Sequence, residues 1–162
     1  MPTYNSAVGA LATGIQAYIA GNGDLTPTTF SAVTTWTPNV QINAVSTGIT
    51  YTSHTGFYQQ FGSIVFITAN IVLSSKGSQS GIVTISNLPV TPGTNAATNV
   101  IPCTFAVSTL TTGYTDMYLQ LSSSTPVADF MQYGSNEANA SVTAAILANT
   151  SSFTFSGFYF TN

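Results

Sequence analysis

Charge is the scarcest thing in this chain. Its 162 residues hold one basic side chain, Lys76, no arginine, four carboxylates (Asp24, Asp116, Asp129 and Glu137) and one histidine, His54. Charged residues make up 3%, against about 25% in ordinary soluble domains. One cation cannot neutralise a phosphate backbone, so nucleic-acid binding is excluded, and attraction to anionic membrane surfaces fails for the same reason. A net charge of −3 with so few charges of either sign gives little repulsion between copies, so the surface tolerates association.

Cysteine is nearly absent too. Cys103 stands alone, which rules out an intrachain disulfide. It reads as a small buried hydrophobe, because a reactive thiol needs a cationic neighbour to hold its thiolate. Long apolar runs are missing as well. The longest, residues 64–73, is broken by Thr68 and Asn70, short of the roughly 18 residues a membrane-spanning helix needs. The start, MPTYNSAVGALATG, has neither a basic segment nor a continuous apolar one, so no secretory signal is read there. Without a signal or aromatic girdles an outer-membrane barrel is not expected either. The expectation is a soluble protein with no membrane insertion.

The short list of titratable groups argues against catalysis. A metal centre wants three or four His, Cys or carboxylate ligands, and one histidine with four scattered carboxylates does not supply them. No Gly-x-Ser-x-Gly elbow accompanies His54, which reads as a turn residue between two short strands. Asp129 and Glu137 flank the turn at residues 133–136, where a hairpin could bring them together as a glycosidase-like pair, though two charges solubilising a loop edge is the plainer account. No glycine cluster sits between a strand and a helix to cradle phosphate. The chain therefore reads as a non-enzyme with no cofactor and no metal.

What is present is uncharged polarity and β patterning. Hydrophobic residues reach 44%, a normal share, so the composition is that of a folded domain rather than a disordered one. Residues 1–33 read as an N-terminal arm. Val8, Leu11, Ile15, Tyr18 and Ile19 fall at helical spacing over 6–20, with Ser6 as a cap and Gly21-Asn22-Gly23 as a stop, followed by a connector. Gly9 and Gly14 weaken that helix, so its apolar stripe needs a surface to lie on.

From residue 34 to 162 the period changes to two. Trp36, Val40 and Ile42 share a parity, and Val65, Ile67, Ala69, Ile71 and Leu73 line one face of a strand. Further strands are expected at 81–85, 100–107, 117–121, 127–133, 142–147 and 153–160. About eight or nine strands at this spacing predict an all-β antiparallel sandwich or barrel. The last strand puts Phe153, Phe155 and Tyr159 on one face and Phe158 and Phe160 on the other, which predicts cover on both faces. Lys76, in a Ser/Gly run, reads as a solvated loop tip, with an interface contact to one of the four carboxylates as the alternative. Tyr51, Tyr58, Tyr114, Tyr118 and Tyr133 are candidate sugar platforms, since sugar sites use aromatic faces and uncharged polar groups.

Ile49-Thr50-Tyr51-Thr52, Gly56-Phe57-Tyr58, Phe61-Gly62, Val65-Phe66-Ile67, Leu73-Ser74-Ser75-Lys76-Gly77, Gly81 and Leu88-Pro89 resemble, in that order, a β-domain of bacteriophage and prophage virion proteins. Ser156-Gly157-Phe158-Tyr159-Phe160 is similar to that domain's last strand. The resemblance covers residues 34–162. Gln60 departs from it, standing where related sequences often carry a basic residue.

The resemblance implies a jelly-roll-like β-sandwich, usually a homotrimer, displayed on a phage particle as a capsid decoration protein or at the tip of a tail fibre or spike. It makes Phe153, Phe155, Phe158 and Phe160 candidates for the trimer interface. With only about 33 residues ahead of the β-domain, the expectation is a capsid decoration or cement protein on the virion. Val8, Leu11, Ile15, Tyr18 and Ile19 would anchor it to the major capsid protein. The alternative is a tail receptor-binding module in which Tyr51, Tyr58 and Tyr114 contact a host surface glycan.

Overall fold

The computed structural model describes residues 30–94, 100–106 and 110–162. The helix candidate at 6–20 and its five anchor residues lie outside them. Ten strands form one antiparallel sheet: β1 (Thr34–Trp36), β2 (Asn39–Ile42), β3 (Ile49–Phe61), β4 (Ile64–Lys76), β5 (Val83–Ser86), β6 (Val100–Ala106), β7 (Asp116–Leu121), β8 (Val127–Gly134), β9 (Glu137–Ser141) and β10 (Ser152–Phe160). Their order is β1-β3-β4-β10-β6-β7-β8-β5-β2, with β9 added on β8.

That order folds the sheet on itself. β1 and β2 occupy its two ends, yet only Thr37 and Pro38 separate them in sequence. At about 3.8 Å per Cα step, the two ends lie within roughly 11 Å of each other. Two aromatic contacts cross the interior this creates. Phe130 on β8 lies 4.8 Å from Phe153 on β10, and Trp36 on β1 lies 6.4 Å from Phe155. None of these strands are neighbours in the sheet, so the contacts join two packed layers. The fold is all-β and antiparallel, a jelly-roll-like sandwich.

Each strand fills the core by alternation. β4 buries Val65, Ile67, Ala69, Ile71 and Leu73, and β10 buries Phe153, Phe155 and Tyr159. Threonine and asparagine face out from β4 at Thr68 and Asn70, where a β-branched or amide side chain solvates the sheet without charge. One close approach fixes a glycine: a methyl on Gly56 would sit 2.2 Å from Trp36 Nε1, so the indole needs the bare backbone beneath it.

Several expectations change. His54 lies inside β3, one continuous strand, not in a turn. A bulge explains its role, because the β3–β4 register shifts around Tyr51 and turns Tyr51 and His54 to the same side, where their rings stack at 4.0 Å. Tyr51 then takes a hydrogen bond from Val40 N (2.8 Å) and donates to Asn39 Oδ1 (2.9 Å). His54 Nδ1 is 3.2 Å from the Pro38 carbonyl. These bonds latch β3 to β2 and tie the two ends of the sheet.

Residues 142–147 are not a strand. Val142 is buried, but Ala144–Ile146 form a 3-10 turn. The strand in that region is β9, Glu-Ala-Asn-Ala-Ser, whose alternation rests on two alanines alone and gives too weak an apolar signal to read. Lys76 is the last residue of β4, and its ammonium donates to the Ala144 carbonyl at 3.0 Å. It serves the backbone of that turn rather than a carboxylate. Ahead of β1, Ser31 is bonded to β3: Ser31 N donates to Gln60 O and Ser31 Oγ accepts from Gln60 N, both at 2.8 Å.

Candidate functional site

Among the described residues the outer surface carries two aromatic regions of different make-up. The first lies on β3, β4 and β10. Register sets Phe158 directly across from Phe66, and Phe160 across from Ile64, which also faces Phe61. Phe30 bridges to Phe61 and covers that corner, its ring 4.6 Å from Phe61 and 6.1 Å from Phe66. Phe158 lies 6.0 Å from both Phe66 and Phe160. Phe57 and Val33 extend the patch, and with Tyr58 they border a shallow groove of about 320 Å³. Phe158 is 52% exposed and Phe57, Phe66 and Phe160 are also open. Further along the same strands the face turns polar, where Asn70 Nδ2 donates to Thr154 Oγ1 at 3.0 Å.

The second region lies on β6, β7, β8 and β9. Tyr118 on β7 and Tyr133 on β8 have ring centroids 5.8 Å apart at 54°. Asn139 of β9 reaches over and donates to the Tyr118 hydroxyl at 2.9 Å. With Val100, Pro102 and Met117 they line a groove of about 420 Å³, within the usual range for ligand clefts, about 300–1,000 Å³. Two glycines pack closely beside Tyr133 and Tyr114. Gly113 adopts φ +96, and a methyl on Gly134 would sit 2.0 Å from the Gly113 carbonyl oxygen. That close approach lets Thr115 N donate to Tyr133 O and Tyr114 Oη donate to Ala138 O, both at 3.0 Å. Asp116 pairs in register with Tyr133, and Glu137 with Gly134, so both nearby charges are negative.

The expected site residues distribute as follows. Phe153 and Phe155 belong to the core of this chain, at 0% and 2% exposure, and offer no surface to a neighbour. That part of the interface expectation is corrected: strand alternation sends them inward. Phe158 and Phe160 point outward. Tyr51, Tyr58 and Tyr114 do not form one platform. Tyr51 and Tyr58 lie about 20 Å apart along β3, the Tyr51 hydroxyl is engaged with β2, and Tyr114 sits beside β7. Tyr118 and Tyr133 do meet, because β7 and β8 are paired. Asn139 is not among the expected platform residues: Asn139-Ala140-Ser141 matches a glycosylation acceptor pattern by chance in a chain this rich in Asn and Ser, and the β9 strand that carries it escapes pattern reading.

Asp129 and Glu137 are not brought together. The β8–β9 hairpin forms, but Asp129 faces Gln120 and Thr84, five residues along β8 from the position opposite Glu137, about 17 Å away. Burial raises the Asp129 carboxyl above its ordinary value. Burial also pushes the Cys103 thiol up to about 12, so it stays protonated and unreactive at neutral pH. Burial lifts the Tyr159 phenol as well, against the opposing hydrogen bond to Val90 O (2.7 Å). Among the described residues no three His, Cys, Asp or Glu side chains cluster as metal ligands, and no helix is long and apolar enough to cross a membrane.

No family model and no curated protein matches the chain. Among solved structures it is similar in fold to the crystal structure of the Dettilon tailspike protein (gp208), at a TM-score of 0.64 and 24% identity. The likeness covers 81% of this chain and 24% of the tailspike chain.

Proposed function

We propose that this chain is a structural β-domain of a bacteriophage tail, carried on a tail fibre or tailspike, assembled as a homotrimer and acting by adhesion rather than turnover. The observation that carries the reading is the shared fold with a quarter of a tailspike, over most of the present chain. It replaces the capsid-decoration expectation, which rested on how few residues precede the β-domain. A fold that occurs as a quarter of a tail protein makes that length uninformative, and nothing in the comparison points to a capsid partner.

The β3–β4–β10 face supports self-assembly. It is a contiguous apolar patch of the kind that marks an interface, and almost no charge of either sign opposes contact between copies. Phe66, Phe158 and Phe160 supply the aromatic anchors that dominate such interfaces. The separation of Asp129 from Glu137 supports binding over hydrolysis.

Gold-labelled antibody against the chain, imaged on intact particles, tests the location. Label at the tail is expected, and label confined to the head would overturn the tail reading. Multi-angle light scattering tests assembly: the expected mass is three times that of the 16.8 kDa chain.

A further inference from the structure

The groove between β6 and β9 combines features that select a ligand class. Its floor is the pair of tyrosine rings, tilted at 54°. Its edge carries uncharged polar groups. Among the described residues the Tyr133 hydroxyl has no hydrogen-bond partner, and Asn139 bonds only through its amide nitrogen to Tyr118, leaving its carbonyl oxygen as an acceptor. Tyr133 is 42% exposed and Asn139 is open to water. The aromatic face and the polar groups are thus presented together.

Three ligand classes fail on physical grounds. An anionic ligand (a phosphate, a sulfate or an acidic sugar) would find no cation among the residues that line the groove, Val100, Pro102, Met117, Tyr118, Tyr133 and Asn139. Lys76, the only basic side chain in the sequence, is committed to the Ala144 carbonyl on β4's far end. A purely apolar ligand would strip water from the Tyr133 hydroxyl and the Asn139 amide and leave them unpaired. A base of a nucleic acid would bring its phosphates with it. An uncharged molecule with a C–H face to lie on the rings and hydroxyls to meet the edge satisfies the whole groove.

We infer that Tyr118, Tyr133 and Asn139 form a binding site for a neutral saccharide, with acidic saccharides disfavoured because no cation lines the groove. The assignment of a host surface as its source rests on the tail reading; the site itself does not. The Tyr133 ring is the stacking platform, its hydroxyl and the Asn139 carbonyl oxygen bond ligand hydroxyls, and Asn139 holds Tyr118 in place.

The test applies the purified full-length chain to an array of neutral and acidic oligosaccharides, and titrates the best neutral ligand by calorimetry. Binding confined to neutral members is expected. Tyr133→Ala should lower affinity about tenfold or more, and Asn139→Ala about threefold to tenfold, with circular dichroism and oligomeric mass unchanged. Binding of acidic members only, no binding to any member, or affinity unaffected by both substitutions would overturn the assignment. Loss of oligomeric mass in Tyr133→Ala would overturn it too, by making the groove a subunit interface. Because the assay uses the isolated chain, its failure leaves the tail location to the particle labelling, and the two readings fall separately.

Discussion

The two exposed aromatic regions are built on the same sheet yet do opposite things with their rings. On β3, β4 and β10 the rings come from phenylalanine, and Phe66 meets Phe158 and Ile64 meets Phe160 in register with no polar atom among them. On β7 and β8 the rings come from tyrosine, and Asn139 reaches in from β9 to bond one of them. A phenylalanine patch is satisfied only by another dry surface. A tyrosine–asparagine groove needs a partner that brings hydrogen bonds. On the proposed readings, the contrast separates an assembly face from a ligand face.

Several experiments would break or sharpen that contrast. The largest effect is expected between two phenylalanines of one strand. Phe153→Ala should cost about 3–5 kcal/mol in denaturant unfolding, while Phe158→Ala, five residues on and facing out, should leave the subunit's own fold intact. Equal losses would mean that both faces of β10 are core. Next, Phe158→Asp should dissociate the assembly, read as a fall to the single-chain mass by light scattering. A mass that stays three-fold removes the β3–β4–β10 face from the interface. Smaller again, Phe158→Ala should leave saccharide affinity unchanged where Tyr133→Ala lowers it about tenfold. Loss in both would merge the two surfaces into one.

The smallest effect concerns Asp129, on the outer side of β8. Burial raises its carboxyl in the folded chain, so the folded state holds that proton more tightly than the unfolded state. Its contribution to stability is complete below the ordinary carboxylate range and is lost as pH rises through the raised value. Asp129→Asn should therefore raise the melting temperature at pH 7 and make no difference at low pH. A variant less stable at pH 7 would show that the ionised carboxylate has a favourable partner.

Much of the fold was legible from particular residues. Period two over Val65–Leu73 placed β4 and its buried face, and put Phe158 and Phe160 on the face opposite Phe153, Phe155 and Tyr159; the expected cover on both faces is not seen among the described residues, where Phe158 is exposed. The 142–147 region misled because Val142, Ala144 and Ile146 alternate like a strand. The chain instead turns there, with the Ala144 carbonyl accepting from both Leu147 N and Lys76 Nζ. β9 was invisible because its side chains are small and polar, and it exists through its hydrogen bonds to β8. His54 was misplaced because the Tyr51 bulge is a matter of register, which one strand's sequence does not contain.

The candidate groove shows the same division more sharply. Tyrosines were recognisable as platforms, but Tyr51, Tyr58 and Tyr114 were no better marked than Tyr118 and Tyr133. Only pairing of β7 with β8 brings two of the five rings to 5.8 Å, and only β9 delivers Asn139 beside them. Composition, by contrast, needed no structure to speak. One lysine, no arginine and four acids leave little for charge-based recognition in any fold, because no arrangement can add to the cations the chain has. By itself the sequence determined the all-β class, the two-face alternation of its long strands and the poverty of charge on its surface. Tertiary structure decided which surface residues stand together, since strand order and register are set by packing between segments distant in the chain.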